Sequence, residues 1–342
     1  MLTIPEMNKT PGLCYAVSPD GLELPVLDVR HPAFHVGLSE AELAALAQAY
    51  AAGQERGESS LLRRLFNRWV LPRILRGSRL GRGLLAAKGG YLDGLSTYLL
   101  KLGPAQLGQG YAQDLDRRIS ASFPGLSARL RLQDCAELMA QALLPSLLAA
   151  PGRPLHLVNI AGGPSMDSLN ALLILGRDQA RPLAGRSVRI HVLDLEADGA
   201  AFAAAALAAL KAAEAPLQGL DLGLEHRAYD WNEPRVLAGL VESLPADAVL
   251  AFSSEGGLWD YAPDTALRGH FKILRSRVAP GTSFTGSLSR PDGAGQSLKQ
   301  GSLAKLELRS LEDFGALAAD CGWEVLAARQ RPINTAVTLC LP

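Results

Sequence analysis

Residues 155–175 read "LHLVNIAGGPSMDSLNALLIL". The run opens as a strand and closes as an apolar helix, with Gly162, Gly163 and Pro164 at the joint. Glycine accepts backbone angles other residues avoid and lets another group come close to the main chain. A strand, a glycine turn and a helix form the first unit of a wound α/β sheet, in which ligands bind beyond the carboxyl ends of the strands. A Gly-Gly pair alone also fits a plain tight turn, so the rest of the chain must decide.

Downstream, β-rich runs alternate with helical stretches: "RIHVLDL" (189–195), "LEHRAYD" (224–230), "AVLAFS" (248–253), "TSFTGSLS" (282–289), "WEVLAARQ" (323–330) and "NTAVTLCLP" (334–342). This alternation predicts a mostly parallel sheet with helices on both faces. Too few residues separate the last two runs for a crossover, so the last strand is expected to run antiparallel. Upstream, Ser18-Pro19-Asp20-Gly21 marks the turn of a small hairpin. Ser39 and Glu42 fit a capping box that opens a helix ending near Gly53. Apolar periodicity predicts further helices near 61–76, 91–102 and 134–149. The expected organisation is a mainly helical unit over 1–150, acting as lid or dimerisation element, and a sheet unit over 151–342.

With 342 residues, 48% of them hydrophobic, the chain can bury a large core. Its formal net charge is zero and aromatics make up 6%, which argues against nucleic acid or an anionic membrane as partner. Cys14, Cys135, Cys321 and Cys340 lie far apart without metal-ligand spacing, so reduced thiols in a cytoplasmic protein and no metal site are expected. No apolar run of about 18 residues exists. The start of the chain lacks a basic segment followed by an apolar one, so no signal peptide is expected. The one charge run is Arg63, Arg64, Arg68, Arg73, Arg76, Arg79 and Arg82. It fits a solvated helical face, or a site for an anionic substrate or an acidic partner; Pro72 and Gly77 interrupt a membrane-surface helix.

Three ligand classes compete for the glycine turn. A nucleoside triphosphate loop needs Gly-Lys-Ser/Thr, where this chain has Pro164, Ser165 and Met166. A dinucleotide loop wants a third glycine at the helix, and none follows until Gly176. S-adenosylmethionine needs no phosphate site. Asp194 ends the second strand, 32 residues after Gly162, where a carboxylate can accept both ribose hydroxyls or instead cap the next helix. Asp230 ends the third strand, where an adenine amino group could donate to it; a turn before Pro234 is the other reading. Tyr229 or Trp231 could cover the ring.

In order along the chain stand "VNIAGGPSMD", "HVLDLE", "AYDWNEP", "AVLAFSSEGGLWDYAP" and the terminal hairpin "WEVLAARQRPINTAVTLCLP". Through these motifs, residues 151–342 resemble the class I S-adenosylmethionine-dependent methyltransferases, with Pro164 and Ser165 departing from the family's more glycine-rich loop. The resemblance implies a Rossmann-like α/β fold, a seven-stranded mostly parallel sheet with an antiparallel last strand beside the helical first half. It implies S-adenosylmethionine held by Ala161, Gly162, Gly163, Asp194, Leu195, Asp230, Trp231 and Ser254. The loop after the fourth strand should overhang the methyl group, with Glu255 and Tyr261 as catalytic residues. Trp259, Tyr91 and Tyr98 are expected to line the acceptor pocket, unless they are ordinary core aromatics. The expected reaction is O-, N- or S-methylation of a small molecule. An NAD(P)-dependent oxidoreductase and a non-catalytic adenosyl-binding protein are the alternatives, and a homodimer is left open.

Overall fold

A computed structural model describes residues 9–58, 69–87, 90–108, 111, 113–179, 181–301 and 304–342. Strand β3 (Leu155–Ile160) is an interior strand, third from one edge of a seven-stranded sheet, and is buried along its whole length. The order is β5 (Asp221–Ala228), β4 (Ser187–Asp194), β3, β6 (Val249–Ser254), β7 (Ser283–Ser289), β9 (Asn334–Cys340), β8 (Glu324–Gln330). β3 to β7 are parallel, and β9 runs antiparallel between β7 and β8. The expected α/β class and antiparallel last strand therefore stand. The chain leaves β3 toward β4 on one side and later returns to β6 on the other, which opens a crevice above the carboxyl ends of the central strands.

Around the turn at 18–21, β1 (Tyr15–Val17) and β2 (Glu23–Pro25) form the expected hairpin, closed by the Gly21 N–H on the Ser18 carbonyl at 2.9 Å. The capping box is present: the Ser39 N–H donates to Glu42 Oε2 at 2.8 Å and the Glu42 N–H to Ser39 Oγ at 3.3 Å, opening the helix Glu40–Glu58. The helix expected near 134–149 starts earlier and spans Phe123–Ala149, capped by Ser122 with Pro124 in its first turn. Leu132, Ala136, Met139 and Leu143 of this helix pack in the same core as Leu155, Leu157, Leu172 and Ile190. The first 150 residues thus share a core with the sheet. At the helix end, the buried Arg186 guanidinium donates to the carbonyls of Leu147 and Ala150 at 3.0 and 2.8 Å, filling acceptors that a helix terminus leaves open.

Of the arginine run, Arg63, Arg64 and Arg68 lie outside the described residues, as does most of the helix expected at 61–76. Arg73, Arg76, Arg79 and Arg82 lie on or beside the short helices Leu71–Leu75 and Arg79–Ala86. Among the described residues no helix is long and apolar enough to cross a membrane, and no three His, Cys, Asp or Glu side chains are grouped to hold a metal.

Candidate functional site

The glycine turn leaves β3 with Ala161, Gly163 and Ser165 all at φ near +55°. Ala161 stays tied to the sheet by its N–H on the Leu193 carbonyl, 2.7 Å away. Asp194, at the tip of β4, then fixes the loop: its Oδ2 accepts the Gly163 N–H at 2.9 Å and its Oδ1 the Glu196 N–H at 3.0 Å. Each carboxylate oxygen keeps a second lone pair for another donor. Burial raises the Asp194 carboxyl above its ordinary value, against the pull of these two N–H groups.

Why the turn is bare is now visible, and the reason differs from the expected one. A Cβ on Gly94 would lie 2.6 Å from Gly163 Cα, and one on Gly199 2.9 Å from the same atom. The glycine at 163 therefore admits protein backbone from two other elements. The face left for a ligand is Ala161 and Gly162, half-buried beside a cleft of about 480 Å³ counted out to its mouth.

That cleft brings together Ala161, Gly162, Gly163, Asp194, Leu195, Trp231, Tyr91, Glu255 and Tyr261. Sequence reading missed Leu92, Gly94, Thr97, Gly256 and Gly257 on the same wall. Tyr91 lies edge-on to Trp231 at 5.6 Å and to Tyr261 at 6.3 Å, an aromatic rim opposite the glycine loop. Burial, with the carboxylates of Glu196 and Asp194 nearby, raises the Tyr91 phenol; burial also pushes Tyr261 to about 12. Both stay protonated at neutral pH.

Four expected residues lie elsewhere. Asp230 is exposed, and its Oδ1 accepts the backbone N–H and the side-chain N–H of Asn232, both at 2.8 Å, so the turn reading holds there. Its neighbour Tyr229 faces the cleft instead, with its hydroxyl 2.6 Å from His270 Nε2. Ser254 is fully buried at the end of β6, off the cleft wall. The Tyr98 hydroxyl donates to the Pro25 carbonyl and accepts the Leu27 N–H, so Tyr98 braces the hairpin from within the core. Trp259 is completely buried against Phe284 and Phe314, at 4.8 and 4.7 Å, because the one-turn helix Leu258–Tyr261 lays it on the sheet.

Glu255 is in the cleft wall, yet not as a free base. Its carboxylate accepts from Lys101 Nζ and, at 2.6 Å, from Arg131 Nε; Arg131 Nη1 reaches Asp260 Oδ2 at 3.4 Å. Burial would raise the Glu255 carboxyl, but Lys101 and Arg131 outweigh it and hold it below its ordinary value. An anion so fixed orients the 255–257 loop, which corrects the expected catalytic role. Lys101 and Arg131 went unread in sequence, although each sits between leucines of a helical stretch, "STYLLKL" and "ARLRLQD". A charge on a core-facing stripe signals a buried partner.

Beyond Leu92, Thr97, Gly256 and Tyr261, which both share, lies a second and mostly apolar chamber of about 810 Å³ counted out to its mouth. Leu84, Leu100, Ala128, Leu298 and Ile333 give it its walls.

No family profile and no curated protein sequence matches the chain. Among solved structures, a possible exported protein from Bordetella parapertussis is 18% identical, with a TM-score of 0.57 over 92% of this chain and 99% of that one. This likeness shows the fold alone. N,N-8-amino-8-demethyl-D-riboflavin dimethyltransferase (RosA) from Streptomyces davawensis is 14% identical over 88% of this chain and 70% of its own. Magnesium protoporphyrin IX methyltransferase (ChlM) from Synechocystis PCC 6803 is 13% identical over 63% and 87%. Both have a TM-score of 0.40, too loose to carry weight. The seven-stranded, mostly parallel sheet with its last strand antiparallel is what the sequence resemblance implies; the bond from the glycine loop to Asp194 is added by the structure. The fold is a wound α/β sheet of seven strands, mostly parallel, with one antiparallel strand near its edge.

Asp194 and Glu255 are the charged residues among the described lining of the cleft. Glu255 is neutralised by Lys101 and Arg131, so the Asp194 carboxylate and the aromatic rings of Tyr91, Trp231 and Tyr261 set the character of the cleft, which suits a sulfonium-bearing nucleoside. The donor set fits S-adenosylmethionine.

Proposed function

We propose that the protein is an S-adenosylmethionine-dependent methyltransferase acting on a small molecule. One observation carries the reading: the Gly163 N–H and the Asp194 carboxylate meet at 2.9 Å on the floor of the same cleft that Tyr91, Trp231 and Tyr261 rim. Bound there, S-adenosylmethionine would supply a methyl group on sulfur with a neutral thioether as leaving group. The chain's own residues have four tasks. Asp194 accepts the ribose hydroxyls on its free lone pairs. Trp231 and Tyr229 cover the base. Tyr91 and Tyr261 present ring faces to positive charge. The Lys101–Glu255–Arg131 ion pairs hold the loop that divides cleft from chamber.

Alignment does most of the work in an in-line displacement, and it can supply roughly 7–11 kcal/mol when the reacting atoms are held in place. The apolar chamber beyond the shared wall is where the acceptor sits in this reading. The test is calorimetric titration with S-adenosylmethionine, S-adenosylhomocysteine and NAD(H), followed by labelled methyl transfer to a metabolite panel. Binding of the sulfonium and its demethylated product, without NAD(H) binding, supports the reading. Binding without turnover on any acceptor favours a non-catalytic adenosyl-binding protein, and NAD(H) binding alone sinks both.

A further inference from the structure

Resting on the methyltransferase reading, we propose that the second chamber takes an apolar organic acid, its carboxylate or other oxyanion seated on Arg131 and a hydroxyl or N–H on its body donated to Asn334. Three observations lead there.

The first is charge. Arg131 is the one charged side chain among the described lining residues of a mostly apolar chamber. Its Nε and Nη1 are taken by Glu255 and Asp260, while among the described residues Nη2 has no hydrogen-bond partner. Nη2 lies at the partition: a Cβ on Gly256, which borders both cavities, would sit 2.2 Å from it. The two anions fix the guanidinium in place, and its spare donor remains for a ligand oxygen.

Asn334 supplies the second observation. Its Nδ2 donates to Ser127 Oγ at 2.7 Å and to the Ser127 carbonyl at 3.2 Å, which orients the amide. Among the described residues its Oδ1 is buried without a partner, on a side chain that lines the chamber. A buried acceptor left open costs stability unless a donor reaches it.

The third is the lack of a base. No histidine is among the described lining residues of either cavity. Glu255 is held between two cations, and the phenols of Tyr91 and Tyr261 stay protonated. An amine or alcohol acceptor would need a group to take its proton. An oxyanion needs none: a lone pair on oxygen forms the O–CH3 bond, the C–S pair stays on sulfur, and no proton moves. The products are a neutral ester or ether and a neutral thioether.

The experiment measures affinity for four naphthalenes by calorimetry, with the protein saturated in S-adenosylhomocysteine. The probes are 2-naphthoate, 3-hydroxy-2-naphthoate, 2-naphthamide and 2-naphthylmethylamine. The acids are expected to bind at least ~10-fold tighter than the amide and the amine, the gain of a hydrogen bond to a charged group. The 3-hydroxy acid should bind tightest, and Asn334→Leu should erase its advantage over 2-naphthoate. Ala128→Phe, which fills the chamber, should weaken every probe and leave S-adenosylhomocysteine affinity unchanged. Equal binding of acid and amide, or no binding of any probe, overturns the proposal. Should S-adenosylhomocysteine itself not bind, the methyltransferase reading falls, while the acid-to-amide ratio in its absence still judges the chamber.

Discussion

Gly94 and Gly163 meet backbone to backbone, so that a Cβ on either would lie 2.6 or 2.5 Å from the other's Cα. The contact joins the helix Gly94–Leu102 to the loop after β3, and the cleft inherits its shape from it. Gly94→Ala adds one methyl group and no unfavourable φ, which isolates the clash. It should destabilise the fold by about 1–3 kcal/mol in urea denaturation, as overpacking does, and weaken S-adenosylhomocysteine binding. An unchanged midpoint would show that the two elements can part freely.

Asp194→Asn keeps the shape of the side chain and removes its charge. It also turns one of the two oxygens that accept the Gly163 and Glu196 N–H groups into a donor, so a loss of about 1–3 kcal/mol in stability is expected beside an S-adenosylhomocysteine affinity weakened, in the proposed reading, about tenfold or more. Free adenosine, which carries the same ribose, should lose as much. A loss confined to the amino-acid end of the ligand would place the carboxylate elsewhere.

The Lys101–Glu255 pair joins a helix of the first half to the loop after β6. Lys101→Met and Glu255→Gln each leave a buried partner short of its counter-charge, at a cost on the order of 3 kcal/mol. The double variant should be more stable than the sum of the two by over about 1 kcal/mol, measured as a double-mutant cycle. Additive losses would mean that the pair does not interact.

Tyr98→Phe leaves the Leu27 N–H and the Pro25 carbonyl without their buried partner. A cost of about 1–3 kcal/mol in stability is expected, with ligand affinity unchanged. A selective loss of acceptor binding would return Tyr98 to the pocket.

Two buried groups pull the acid stability profile in opposite directions. His156 donates through Nδ1 to His191 Nε2 at 2.8 Å, and His191 Nδ1 to Glu225 Oε1 at 2.7 Å. Burial, then His191 and Arg189, lower His156 from 6.5 to about 4. Between these values the unfolded chain binds the extra proton, so this contribution is lost as pH falls from 6.5 to 4. Asp167 is raised by burial, then by Glu255, from 3.8 to about 6, and among the described residues its Oδ2 has no partner. Here the folded chain holds the extra proton, so its contribution falls as pH rises from 3.8 to 6. Asp167→Asn should therefore gain on the native protein above pH 6, while His156→Gln should flatten the loss on the acid side. Denaturation midpoints between pH 4 and 7 check both.

The sheet was legible because its strands are short apolar or alternating runs, and because the residues between β8 and β9 are too few for a crossover. The start of the helix Phe123–Ala149 was hidden by Pro124 and Gly125, which read as breakers although proline is at home in a first turn. At the cleft, residues fixed by backbone position, such as Gly162 and Asp194, were readable from strand ends. Residues fixed by side-chain direction were not. An aspartate closing an Asx turn looks like one awaiting a ligand, as Asp230 shows. An aromatic at helical spacing looks the same in the core and in a pocket, as with Tyr98 and Trp259. Lys101 and Arg131 find Glu255 across 154 and 124 residues, a pairing that no local pattern reveals.

That pairing also decides how molecules can come and go. Both cations belong to the helical half and both anions to residues 255–260, so swinging the halves apart would strand charges that no water yet solvates. Parting the halves would have to break these three ion pairs together. In the reading proposed here, the cofactor's way into the cleft is then set by Tyr91, Trp231 and Tyr261 at its rim and not by a parting of the two halves.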